Sequence, residues 1–144
     1  MRQVIGGAIV LAMVLGAVGG ALAGTPLTEA DALYDAGGMA NFLKAIPLYE
    51  KAAAEDGNDY EALWKCARAH RDYGNKAKQQ VVADWEALCA RHGKAGMQFA
   101  ERAVALAPEK VEGHYYYGLS VGIYSDGVSI LTALSEGLKN KTQE

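Results

Sequence analysis

Tyr60–Gly74 reads YEALWKCARAHRDYG and Val111–Ser125 reads VEGHYYYGLSVGIYS, and laying the second on the first at an offset of 51 residues decides the fold. Glu61 falls on Glu112, Leu63 on His114, Cys66 on Tyr117, Ala67 on Gly118 and His70 on Val121. A small residue in the middle of each stretch (Ala67, Gly118) lets a second helix approach closely, and the larger residues before it fill the space between helices. The expected partner helices recur at the same offset: Ala45, Tyr49 and Ala52 of KAIPLYEKAAAEDG correspond to Gly96, Ala100 and Ala103 of KAGMQFAERAVALAP. Each partner ends in a break, at Gly57-Asn58 and at Pro108, beyond which a helix does not continue. No alternating apolar/polar run bounded by turns is present, so no strand is expected.

This order of residues resembles the tetratricopeptide repeat, a helix-turn-helix unit of about 34 residues. His114, Tyr117-Gly118 and Ala103 through Pro108 carry the match, joined by Ala45, Tyr49 and Ala52 in the second helix of the first unit. Leu63 and His114 stand where the family commonly has Trp, and Gly57 where it has the closing Pro. The resemblance runs over residues 26–125 and implies an all-α stack of helical hairpins, an α-solenoid, with units at 26–59, 60–110 and 111–144. It also implies that the chain acts by holding other proteins on the surface lined by its first helices.

The spacing exposes an insertion. Pro26 to Tyr60 is 34 residues, whereas Tyr60 to Val111 is 51, a surplus of 17. It lies in NKAKQQVVADWEALCARHG, where Val81, Trp85, Leu88 and His92 share one helical face and Gly93 is a natural stop, which predicts an extra or lengthened helix. The tail DGVSILTALSEGLKNKTQE corresponds to that insert, with Val128, Leu131, Leu134 and Leu138 on one face as a candidate self-association surface. Thr28-x-x-Asp31 and Asn58-x-x-Glu61 are expected to cap helices, and Ser125-Asp126-Gly127 to break the chain. Pro47 predicts either a helix start near Ile46 or a kink.

Residues 1–23 read as a secretory signal: Arg2, an uncharged run from Val4 to Val18, then Ala21-Leu22-Ala23 with cleavage expected after Ala23. The expected address is periplasmic or secreted, with residues 24–144 as the folded domain. A retained membrane anchor is the alternative, since a spanning helix needs about 20 apolar residues. The chain has 14 basic and 17 acidic side chains, and loss of Arg2 with the leader takes the net charge from −3 to −4. A mixed, mildly acidic surface lacks the basic stripe that a nucleic-acid or anionic-lipid partner needs.

Cys66-x3-His70 and Cys89-x2-His92 each place two metal-type ligands on one helix face. Three readings are open: buried free thiols, which such residues most often are; a Cys66–Cys89 disulfide in an exported protein; and a Cys2His2 metal or redox site. No haem motif, glycine-rich phosphate loop or Gly-x-Ser-x-Gly elbow is present, and the acidic residues fall singly. No catalytic constellation and no cofactor are therefore expected, and the chain does not read as an enzyme.

The partner surface is expected at Tyr34, Trp64, Arg68, Arg71 and Tyr115, aromatic and arginine types that concentrate binding energy. Tyr117 is expected in the core. The partner is a protein or peptide. The segment GHYYYGLSVGIYSDGVSILTAL is in addition similar to the periplasmic T component associated with tripartite ATP-independent transporters, which implies docking of a solute-binding protein.

Overall fold

The computed structural model describes residues 24–128, which form five α-helices: α1 (Pro26–Ala36), α2 (Met39–Glu55), α3 (Tyr60–Gln79), α4 (Trp85–Leu106) and α5 (Val111–Gly127). The all-α reading holds for this span, and no strand occurs among the described residues. The leader and the tail residues Leu131, Leu134 and Leu138 lie outside the described residues. Each helix packs on its neighbour in the chain, and α3 also meets α5.

The ends of the helices follow local chemistry, three residues and one residue away from where the sequence pattern put them. Thr25, not Thr28, caps α1: its hydroxyl accepts the Thr28 N–H at 3.3 Å, because Pro26 starts the helix earlier with a ring already set for the first turn. Asp59, not Asn58, caps α3 by accepting the Ala62 N–H at 3.1 Å. Gly37 and Gly38 make the tight α1–α2 connection at φ of +71° and +86°, where a side chain would be strained. α2 runs through Pro47. The proline lies on the exposed side, so the Leu43 carbonyl that loses its helical donor also faces solvent.

The inserted residues lengthen existing helices instead of forming a separate one. α3 extends to Gln79, and α4 is a single helix of 22 residues that passes through Gly93 and Gly96. Gly93 does not stop it, because the glycine is needed for contact: a methyl there would come within 2.4 Å of the Tyr124 backbone nitrogen on α5. Gly96 sits likewise against Ser120, and Gly74 against Ile123. Val81 lies outside the helix, in the turn before it, at φ +48° and 73% exposed. The expected break at Ser125-Asp126-Gly127 falls at its last residue, after which Val128 is extended. α5 continues to Gly127, which lies against the Ala90 backbone, and Asp126 pairs with Lys78 at 2.7 Å.

Two clusters form the core. Phe42, Ile46, Tyr49, Cys66 and Tyr73 anchor the first, between α1, α2 and α3, while Ala53, Leu63 and Ala103 join α2, α3 and α4 in the second. Alanine and glycine at the crossings allow the backbones to come close, which is how few large side chains still give a dry interior. Among the described residues no helix is long and apolar enough to cross a membrane.

Candidate partner-binding groove

Trp64, Arg68 and Arg71 lie at helical spacing on α3, and this face meets α1 on one side and α5 on the other. The Arg68 guanidinium lies 3.7 Å from the Tyr34 ring centre and 5.0 Å from that of Trp64, and it donates to the Tyr49 hydroxyl at 3.4 Å. The Tyr34 hydroxyl donates to Asp72, which also accepts from Arg71 at 2.7 Å. Tyr49 donates in turn to Asp31 at 2.7 Å, and Lys65 donates to the other Asp31 oxygen at 2.8 Å. Burial, reinforced by the neighbouring carboxylates, pushes the Tyr34 and Tyr49 phenols well above their ordinary range, so both stay protonated donors. Tyr34 also stacks on Phe42 at 4.9 Å, which fixes its ring from behind.

Of the five residues expected here, Tyr34, Trp64, Arg68 and Arg71 come together. Tyr115 stands one step away and is 58% exposed, touching the cluster only through an edge-on contact with Tyr116. Tyr116 is the aromatic that meets Trp64, with parallel rings 5.7 Å apart. The sequence did carry a signal for it. Gly113, Tyr116, Ser120 and Ile123 step by three, four and three, and this stripe faces the rest of the fold, with Gly113, Ser120 and Ile123 buried. Tyr117 is correspondingly not a core residue: it is half-buried and lines a groove of about 360 Å³ on the opposite side of α5, with Glu101, Val104, Ala105 and His114.

Arg68 and Arg71 each keep a buried Nε–H without a hydrogen-bond partner among the described residues. The nearby charges are Asp31, Glu61, Asp72, Lys65, Arg68 and Arg71, three negative against three positive. A guanidinium held between two aromatic faces, with donor capacity left over, is preset to receive a carboxylate or another planar acceptor.

The Cys-His residues form a different, closed site. His70 Nδ1 and His92 Nδ1 are 2.9 Å apart, His70 Nε2 is 3.2 Å from Glu50, and an Arg91 nitrogen is 3.5 Å from His92 Nε2. One tautomer assignment satisfies all three contacts: Arg91 donates to His92, His92 to His70, and His70 to Glu50, with both imidazoles neutral. Burial pushes each imidazole down to about 4. Cys66 and Cys89 are both free and buried, and the Cys89 thiol donates to the Gly74 carbonyl at 3.3 Å. Among the described residues no three His, Cys, Asp or Glu side chains are grouped to hold a metal ion.

The family model described as regulator of microtubule dynamics protein 1-3 matches residues 26–143. The chain belongs to the regulator of microtubule dynamics protein 1-3 family. The match begins at the first residue of α1 and takes in all five helices, so the Tyr34–Trp64–Arg68–Arg71–Tyr116 cluster lies wholly within the regulator of microtubule dynamics region. No curated protein and no solved structure matches the chain.

Proposed function

We propose that this chain is a scaffold of tetratricopeptide-type helical hairpins, without catalytic activity, that holds a protein partner in the groove formed by Tyr34, Trp64, Arg68, Arg71 and Tyr116, with Tyr115 at its rim. The observation that carries the reading is the Arg68 guanidinium clamped between Tyr34 and Trp64 while buried donors of Arg68 and Arg71 have no partner among the described residues. The bound segment presents a carboxylate to the arginines and an apolar side chain to the Trp64–Tyr116 face. Burial of the aromatic surface supplies the affinity, and pairing with the guanidinium supplies the register. The name of the family, a regulator of microtubule dynamics, accords with a protein that works by contact with others.

The domain is read as exported after cleavage following Ala23.

Peptide display on the immobilised full chain, counter-selected with Arg68→Ala, tests the groove. Selected peptides are expected to share an acidic residue or a free C-terminus beside an apolar residue, and to bind the variant at least about tenfold more weakly. Peptides without an acceptor group, or peptides that bind the variant equally, would refute the assignment. Recovery of a solute-binding protein through the same face would favour the transporter-accessory reading of the partner.

A further inference from the structure

Of the three cations on the groove face, Arg68 is the one without a carboxylate of its own among the described residues. Lys65 is held by Asp31 at 2.8 Å and by Glu61 at 3.4 Å, and Arg71 by Asp72 at 2.7 Å. Arg68 is held instead by the Tyr34 and Trp64 rings and by the Tyr49 hydroxyl. Both of those tyrosines are in turn tied to an acid: Tyr34 donates to Asp72, and Tyr49 donates to Asp31 at 2.7 Å. A phenol that donates to an anion gains electron density on its oxygen and ring, which makes it a better seat for a guanidinium. Asp31 and Asp72 therefore support the Arg68 cation from a distance and leave its own N–H groups to an incoming anion.

The same two aspartates border the place where an acceptor meets Arg68. Lys65, Arg68 and Asp72 follow one another at intervals of three and four residues, so they stand in a row along α3. Asp31, bound to Lys65, lies about one helical turn to one side of Arg68 and Asp72 about one turn to the other, roughly 5 Å each way along the axis. Their side chains are only 30% and 18% exposed, so solvent screens them less than it screens a surface charge. An extended segment advances about 3.5 Å per residue. When its carboxylate meets Arg68, its side chains one or two residues before and after pass Asp31 on one flank and Asp72 on the other. A second acid there meets a like charge, and a lysine or arginine there meets an opposite one.

We infer that Asp31 and Asp72 set the specificity of the groove: it accepts a segment with a single carboxylate bordered by uncharged or basic side chains, and it turns away segments in which further acids flank that carboxylate. The inference rests on the groove reading above and adds to it the chemistry of the accepted partner. Asp31 and Asp72 are positioning residues, since they hold Arg68 through Tyr49 and Tyr34. They also discriminate, each on its own flank, because one lies at the Lys65 end of the row and the other at the Arg71 end. The six charges of this face balance before anything binds, so one added carboxylate on Arg68 leaves a net of one negative charge, and each further acid adds to it.

Two displayed peptide libraries panned on the immobilised full chain test it, random except for a fixed leucine and a fixed central residue, aspartate in one library and asparagine in the other. The aspartate library is expected to yield the binders, with acidic residues depleted and basic residues enriched at least about threefold on both flanks of the central position. Panned on Asp31→Asn, the library is expected to lose that bias on one flank, and on Asp72→Asn on the other, while the preference for the central aspartate persists. A role in stability alone would not move the two flanks separately. Acid-enriched flanks on the wild type would overturn the inference and leave the groove standing, as would a flank bias that neither variant changes. Equal yield from the asparagine library, or aspartate binders that Arg68→Ala retains, would overturn the groove reading itself and the inference with it. Circular dichroism checks that each variant keeps wild-type helicity; where one does not, the flank bias of the wild type and the other variant decide.

Discussion

Gly93 shows how a single hydrogen in place of a methyl sets the distance between two helices. Alanine is the better helix former by about 1 kcal/mol, yet a methyl at Gly93 would press on the Tyr124 backbone at 2.4 Å. Gly93→Ala is therefore expected to lower stability by about 1–3 kcal/mol, read as a lower thermal midpoint. Val81 is the opposite case. A β-branched residue at φ +48° on an exposed turn is strained without any packing in return, so Val81→Asn is expected to raise stability by about 1 kcal/mol in urea unfolding. The His70–His92 pair gives a pH dependence with a definite sign. In the folded state burial holds both imidazoles down at about 4, against an ordinary value of 6.5. Between those values the unfolded chain binds more protons than the folded one, so stability is full above about pH 6.5, falls as pH drops, and levels off below about 4. The urea midpoint across pH 7.5 to 4 is expected to follow this course, and His92→Gln, which takes no proton, to reduce the fall to the part that His70 contributes. The Cys-His spacings made these residues visible in the sequence. That the two rings meet each other was invisible there, because ring-to-ring distance depends on how deeply α4 sits on α3.

At the scale of the element, the sequence located the helices well and their ends less well. Caps are the weak point because Thr25 and Thr28, or Asn58 and Asp59, offer nearly the same chemistry a few residues apart, and only backbone geometry selects one. Asp59→Ala is expected to cost about 1 kcal/mol and Asn58→Ala close to nothing, a contrast that thermal melts of the two variants resolve. The insertion was legible as a surplus of 17 residues between Tyr60 and Val111. Its form was not. A glycine signals a helix stop when solvent surrounds it and a helix crossing when another backbone lies over it, and the local sequence is the same in both cases. α4 therefore runs unbroken through Gly93 and Gly96 where a stop was expected at the first of them.

For the whole molecule, the proposed partner surface is a contact between three helices, and its expected energetics follow from which residues it buries. Trp64 and Arg68 sit at the centre, stacked on Tyr116 and Tyr34, whereas Tyr115 lies open at the rim. Trp64→Ala is expected to weaken a selected acidic peptide by about 2 kcal/mol or more, and Tyr115→Ala by a few tenths, approximately what separates centre from rim in known interfaces; calorimetric titration of both variants measures the difference. The sequence alone determined that the described chain is all-α, that Tyr60–Gly74 and Val111–Ser125 are each helical, and that Trp64, Arg68 and Arg71 share one face, because residues three and four apart on a helix must. Only the tertiary structure decided that Tyr116 and not Tyr115 meets Trp64, that Asp72 ties Tyr34 to Arg71, and that Gly93 is covered by α5. Periodicity fixes a residue's direction within its own helix, whereas the rotation of that helix against its neighbours is set by the volumes of side chains elsewhere in the chain, here by glycines that let α4 and α5 close to backbone contact.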